Sequence, residues 1–269
     1  MGKERTMITF NHSGNIGDVL YSLNFAREFA AANGEGSFAV NLQPGVGSAI
    51  QKNHPCGSVL MDDAACEFLR PLLEAQPYIA QVTVSGKAPE GAIDLSQFRK
   101  FPLFHAAGDV RYYYYAMSPN ALPKDFITPI LTAPRDGRAD GKIVVVRSAR
   151  YRNPLVNYRG LKEFAASMIF VGLPEEHADF CRAEFDVPYQ PVANALEVAG
   201  LMVAARLVIG NQCGTFAIAE QLKVPRWLES CQIMRQGEGM GYGCPNVLPF
   251  GGKCRILIGP PSSNELELF

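Results

Sequence analysis

The sequence has no surplus of charge: 25 Lys and Arg stand against 26 Asp and Glu, a formal net charge of −1. No overall field therefore concentrates nucleic acid or an anionic membrane at the surface, and any polyanion site has to be local. It has no bilayer-length apolar run either; the stretch 195–210 is interrupted by Glu197 and Arg206. Residues 1–6 are charged and lead straight into a short apolar segment, without a signal-type apolar region or a small-residue cleavage site, which predicts a cytoplasmic protein. Cysteine is sparse, seven in all, odd in number and irregular in spacing, as expected of thiols in a reducing compartment. Cys231, Cys244 and Cys254 lack a paired C-x-x-C spacing and His54, His105 and His177 are isolated, so no metal constellation is expected. A G-x-x-x-x-G-K-[ST] loop, a G-x-S-x-G elbow and a dinucleotide fingerprint are also missing, and those enzyme classes recede.

What is present is the makings of a large core. Of 269 residues 48% are hydrophobic and 19% charged, which separates the chain from disordered sequences. An apolar run at 7–11, a glycine-bearing loop, a helical pattern over 19–32, a strand at 38–42, a helix at 67–75 and a strand at 81–84 alternate as in a parallel sheet covered by helices. Prolines at 119, 123, 129 and 134 and a polar run over 135–141 break the pattern, so a lobe boundary is expected near residue 138, between lobes 1–138 and 139–269. Beyond it, consecutive valines in 142–147 predict a strand buried on both faces, followed by strands at 168–171 and 207–209 and helices at 161–166, 175–185 and 195–205. The fold class is therefore α/β, with two such lobes and no convincing repeat between them.

Three loops could carry chemistry. In the first, His12-Ser13-Gly14-Asn15-Ile16-Gly17-Asp18, the glycines allow close backbone approach, and Asp18 could serve as a base or simply cap the helix that follows. His12 could touch a ligand there. The second, Asn211-Gln212-Cys213-Gly214-Thr215, joins a strand to a helix whose free N–H groups suit a diphosphate; Cys213 reads as a packing residue, since no histidine lies near it in sequence. The third holds three arginines in six residues, Arg147-Ser148-Ala149-Arg150-Tyr151-Arg152, directly after a buried strand: either phosphate-binding forks or a solvated basic loop. Arg111-Tyr112-Tyr113-Tyr114-Tyr115 could stack a sugar, but consecutive residues of a regular element point to different sides, so core and rim packing is the competing reading.

Ser13-Gly14-Asn15-Ile16-Gly17-Asp18-Val19-Leu20 resembles the N-terminal signature of the heptosyltransferase-like glycosyltransferases of family 9. The stretch 195–201, Leu207-Val208-Ile209-Gly210-Asn211, Gly214, Ala219 and Val224-Pro225 are similar to that family's nucleotide-sugar segment, as is Phe170-Val171-Gly172-Leu173-Pro174-Glu175-Glu176 to its preceding strand and loop. The resemblance implies GT-B architecture, two Rossmann-like lobes facing across a cleft, and an inverting sugar transfer from a nucleotide-diphosphate sugar with no metal or other cofactor. It makes Asp18 the general base, with His12, Ser13, Gly14, Asn15 and Gly17 on the acceptor side. Cys213, Gly214 and Thr215, with Asn211 and Gln212, would seat the diphosphate; Arg147, Ser148, Arg150 and Arg152 would offset its charge; Phe170, Gly172 and Glu229 would border the nucleoside.

The chain departs from the family where Asp-Ser-Gly and a histidine are replaced by Gln212-Cys213-Gly214 and Ala217, which argues against heptose as the donor sugar. Its shortness implies a trimmed acceptor lobe, and residues 93–99 and 147–153 suggest a divergent branch, of the kind found among phage sequences. A glycan or a modified DNA base is the implied acceptor. The rival expectations are a sugar-nucleotide binding module without catalysis and a sugar-nucleotide epimerase.

Overall fold

The computed structural model describes residues 7–47, 55–100, 109–118, 126–230, 251–262 and 266. The chain divides into two compact units, Met1–Leu103 with Val110–Asp125, and Phe104–Asp109 with Phe126–Phe269. Each is built on its own parallel sheet with helices, as an α/β pattern of alternating elements requires.

In the first unit, strands β1 (Thr9–His12), β2 (Phe38–Leu42), β3 (Ile79–Val84) and β4 (Ile93–Asp94) lie in the order β3-β2-β1-β4, every pair parallel. Helix α1 (Ile16–Ala32) follows β1, α2 (Asp63–Glu74) precedes β3, and α3 (Val110–Tyr115) packs beside α1. Asp62 starts α2 by accepting from the Ala65 amide at 2.8 Å, which satisfies one of the donors a helix start leaves open. β2 is buried at every position, so it is apolar apart from Asn41 rather than alternating. A 3-10 helix, Leu95–Lys100, leaves β4 and carries Arg99 back toward the start of α1.

In the second unit, β5 (Ile143–Val146), β6 (Met168–Phe170), β7 (Leu207–Asn211), β8 (Arg226–Glu229) and β9 (Cys254–Leu257) form a parallel sheet in the order β6-β5-β7-β8-β9. Helices α4 (Pro174–Ala183), α5 (Ala195–Ala204) and α6 (Gly214–Leu222) accompany it; the segment 161–166 lies within a 3-10 helix, Arg159–Ser167. Its central strands β5, β7 and β8 are wholly buried and feed a core that includes Val145, Phe170, Phe180, Ile209 and Trp227. Gly210 is required within β7: a Cβ there would fall on the Val146 carbonyl oxygen of β5. Residues 126–138 belong to this unit, where the Ile130 amide donates to the Gln221 carbonyl at 2.9 Å.

Candidate functional site

Both strand orders reverse direction at one place. From β1 the first sheet grows outward through β2 and β3, then the chain returns to add β4 on the far side of β1; from β5 the second grows to β6, then returns to add β7. At such a switch point the loops leaving adjacent strands diverge to opposite faces and open a crevice at the carboxyl ends, where open α/β sheets bind ligands. The first loop of the sequence analysis lies at the β1/β4 switch, and the second and third meet at the β5/β7 switch.

At the β1/β4 switch, the Ser13 amide and hydroxyl both reach Ser96 Oγ at 2.8 Å, and the Ser96 amide donates to Asp94 Oδ1 at 3.0 Å. Asp18 occupies the first turn of α1, one residue beyond Gly17, and accepts from the Asn15 amide at 3.1 Å and from Asn15 Nδ2 at 3.3 Å. Its Oδ2 is also ion-paired with Arg99 Nη2. The side chain keeps 19% of its surface exposed, so the carboxylate is reachable although held. His12 is buried, and both ring nitrogens are engaged: the Gly14 amide donates to Nδ1 at 2.9 Å, and Nε2 lies 3.1 Å from the Tyr114 hydroxyl. Gly14 has to be glycine here, since a Cβ would sit 2.5 Å from His12 Cε1. Beneath the loop a polar row crosses the sheet: Thr83 Oγ1 donates to Asn41 Oδ1 and Asn41 Nδ2 to Asn11 Oδ1, each at 2.8 Å, and Asn11 Nδ2 reaches Asp94 Oδ1 at 3.4 Å.

At the β5/β7 switch one amide ties the two loops. Asn211 Oδ1 accepts from the Ser148 amide at 3.0 Å, while its Nδ2 donates to the Ser148 carbonyl at 3.0 Å and to the Arg150 carbonyl. Arg152 folds back, with Nε donating to the Ser148 carbonyl at 2.9 Å and Nη1 facing Asp179 at 3.6 Å. Arg150 lies over the Tyr151 ring and donates to its hydroxyl at 2.7 Å; Tyr151 takes a left-handed backbone, φ 55°. Cys213 caps α6 through its sulfur, which accepts from the Phe216 amide at 3.3 Å, ahead of Gly214 and Thr215 in the first turn. Enclosure pushes the Cys213 thiol up to about 11, so it is a neutral packing and capping group, not a thiolate. Glu176 braces the loop by accepting from the Ala149 amide at 3.0 Å, and burial holds its carboxyl above the ordinary value.

Two atoms stand out at this switch. Arg152 Nη2 and Gln212 Nε2 are buried nitrogens without a hydrogen-bond partner among the described residues, and buried donors are otherwise nearly always paired. Burial and the neighbouring charge of Arg147 also lower the Arg152 pKa, so an anion at this guanidinium would relieve an unfavourable charge.

Arg147 and Glu229 are placed differently from the donor-facing roles expected of them. Arg147 Nε donates to Glu229 Oε2 at 2.7 Å, Nη1 to Glu184 at 2.9 Å and Nη2 to the Val156 carbonyl at 3.1 Å, with the guanidinium over the Tyr158 ring. Glu229 also accepts from the Tyr158 hydroxyl and the Asn153 amide. This network is the foundation of the 147–153 loop, and its charges face one another. Phe170 likewise packs on His177 and Phe180 in the core, while Gly172, two residues past the end of β6, leaves room for the Glu176 carboxylate. Of the tyrosine run, Tyr114 and Tyr115 are buried and Tyr112 is exposed. His54, His105, Cys231 and Cys244 lie outside the described residues, among which no metal-holding group of His, Cys, Asp or Glu occurs.

By sequence, no family model and no curated protein matches the chain. By structure, it superimposes on E. coli ADP-heptose lps heptosyltransferase II with TM-score 0.62 and 12% identity, over 95% of this chain and 92% of that one. The glycosyl transferase family 9 protein from Veillonella parvula DSM 2008 gives TM-score 0.60 at 12% identity over 100% and 89%, and E. coli heptosyltransferase WaaC with ADP gives 0.55 at 12% over 98% and 98%. The chain has the heptosyltransferase fold.

That fold agrees with the order in which the resembling motifs occur along the sequence. Several site residues of this heptosyltransferase-fold chain carried no local signal. Arg99 lies 81 residues from Asp18, behind a strand of two residues, and Tyr114 lies 96 residues away; nothing near either pointed to the first loop. Among the described residues, no helix is long and apolar enough to cross a membrane.

Proposed function

We propose that the chain is an inverting, metal-independent glycosyltransferase of the cytoplasm, moving a sugar from a nucleotide-diphosphate sugar to a hydroxyl of a glycan or a modified nucleobase. In this reading the unit built on β1–β4 serves the acceptor and the unit built on β5–β9 the donor. The acceptor oxygen attacks the anomeric carbon from the face opposite the leaving group, its proton passes to Asp18, and the carbon–oxygen bond to the diphosphate breaks. Asp18 is supported as the base by its position at a switch point with part of its carboxylate reachable.

The observation that carries the reading is the pair of buried, unpartnered donors, Arg152 Nη2 and Gln212 Nε2, beside the start of α6. With the Arg150 guanidinium and the amides of Gly214 and Thr215 they make a donor set for a diphosphate, and it would stabilise the charge that develops as the leaving group departs. A second reading, a sugar-nucleotide binding module without transfer, is favoured by one observation: Asp18 is already held by Arg99 and Asn15.

A thermal-shift panel of ADP, UDP, GDP and CDP with their sugar conjugates, with and without chelator, tests the donor site, because a ligand bound only by the native state raises its stability. One diphosphate should raise Tm irrespective of chelator, and Arg152→Ala should abolish the shift. Asp18→Asn should keep the shift and lose transfer. A shift that requires magnesium ends the metal-independent reading, and transfer retained in Asp18→Asn removes Asp18 from the role of base.

A further inference from the structure

The loop that presents Asp18 is held at both ends by one chain of hydrogen bonds. The Gly14 amide donates to His12 Nδ1 at 2.9 Å, His12 Nε2 lies 3.1 Å from the Tyr114 hydroxyl, and that hydroxyl donates to the Asp18 backbone carbonyl at 2.8 Å. The end groups dictate the direction of every bond. An amide N–H only donates, so Nδ1 accepts and carries no proton. A carbonyl only accepts, so the Tyr114 proton points to Asp18. The phenol oxygen is left to accept the Nε2–H of His12.

One state of the imidazole, the neutral Nε2–H tautomer, satisfies all three bonds. Burial works to the same end, holding the His12 pKa down to about 4 against the pull of Asp18 and Asp94, with Arg99 adding to the depression. Asp18 is also held through its carboxylate, and from the same cluster. Phe98 packs against Tyr114 with ring centroids 4.7 Å apart, and the Arg99 guanidinium that pairs with Asp18 lies 4.7 Å from the Phe98 ring centroid.

We infer that His12 and Tyr114 are positioning residues: they fix the backbone at residues 14 and 18 so that the Asp18 carboxylate points in one direction. The role rests on the reading of Asp18 as the base. Neither side chain touches the reacting atoms; each acts through the main chain of the loop. A carboxylate displaced by even an ångström loses much of the benefit of orientation, so the effect belongs in turnover and not in donor affinity.

Tyr114→Phe keeps the ring and removes the hydroxyl. Release of nucleoside diphosphate from ADP-heptose, UDP-glucose and GDP-mannose is followed for wild type, Tyr114→Phe and Asp18→Asn, beside 15N spectra of the His12 ring. The wild-type ring should report the Nε2–H tautomer, and in Tyr114→Phe the Val19 amide signal, next to the released Asp18 carbonyl, should move. On the donor released fastest, kcat should fall roughly tenfold or more with KM within about twofold.

A wild-type His12 carrying its proton on Nδ1, or averaging both tautomers, overturns the inference whether or not any donor is turned over. Full kcat in Tyr114→Phe beside an inactive Asp18→Asn overturns it while leaving the base assignment standing. Nucleoside diphosphate release retained in Asp18→Asn removes the base, and the positioning role with it. Should Tyr114→Phe fail to fold, the wild-type tautomer and the same kcat and KM comparison in His12→Gln decide.

Discussion

At the scale of single residues, the buried charges separate an arginine that serves the fold, Arg147, from one with an unpartnered buried nitrogen, Arg152. Arg147 faces two carboxylates, Glu184 and Glu229, with all three of its nitrogens engaged. Replacing it by Met would leave those carboxylates buried without their cation, a loss of about 3–5 kcal/mol for a broken buried pair. Denaturant unfolding of Arg147→Met should show that loss directly. Arg152→Met should move stability far less, since its ion pair with Asp179 is long and partly exposed. Equal losses in the two variants would contradict this division of labour. Charge clustering in the sequence drew the three arginines together; their partners, 82 and 37 residues away for Arg147, divide them.

At the scale of elements, close approach between strands sets a requirement that composition hides. Gly210→Ala places a methyl group against the Val146 carbonyl, so β5 and β7 must part. The expected destabilisation is about 1–3 kcal/mol, typical of overpacking. A melting curve of Gly210→Ala unchanged from wild type would show that the strands yield freely. The strands of the sequence analysis were legible where apolar residues run together, as in β2, β5 and β7, and so was the helix α5, whose start the structure caps with Asn194 accepting from the Glu197 amide at 3.0 Å. β4 escaped because two residues make no pattern, and α3 because a tyrosine run has no helical period. β8 begins and ends on the charged residues Arg226 and Glu229, which pass for a loop until their buried partners Glu220 and Arg147 are known. The site was legible as loops, because glycine and arginine signal locally; the partners that orient those loops come from distant segments and do not.

At the scale of the whole molecule, the neutral His12 makes folding sensitive to acid. Its pKa is about 4 when folded against 6.5 in the unfolded chain, so between those values the unfolded state binds the proton first and stability falls as pH falls. Above about 6.5 the group contributes no pH dependence, and below about 4 it adds no further loss. The difference corresponds to roughly 3 kcal/mol. Urea midpoints measured from pH 7 to 4 should decline in wild type and decline less in His12→Gln, whose side chain has no proton to bind; parallel curves would place the acid sensitivity elsewhere. The polar row Thr83, Asn41, Asn11 and Asp94 has a consequence of its own for the first sheet. In a strand buried on both faces and mostly apolar, such as β2, sliding one residue past a neighbour largely exchanges one oily side chain for another, and hydrophobicity alone objects little. The row does: a slipped strand would break these hydrogen bonds and bury amides unpaired, at about 1–3 kcal/mol for each. The four polar side chains act as alignment marks, telling otherwise interchangeable strands where to stop.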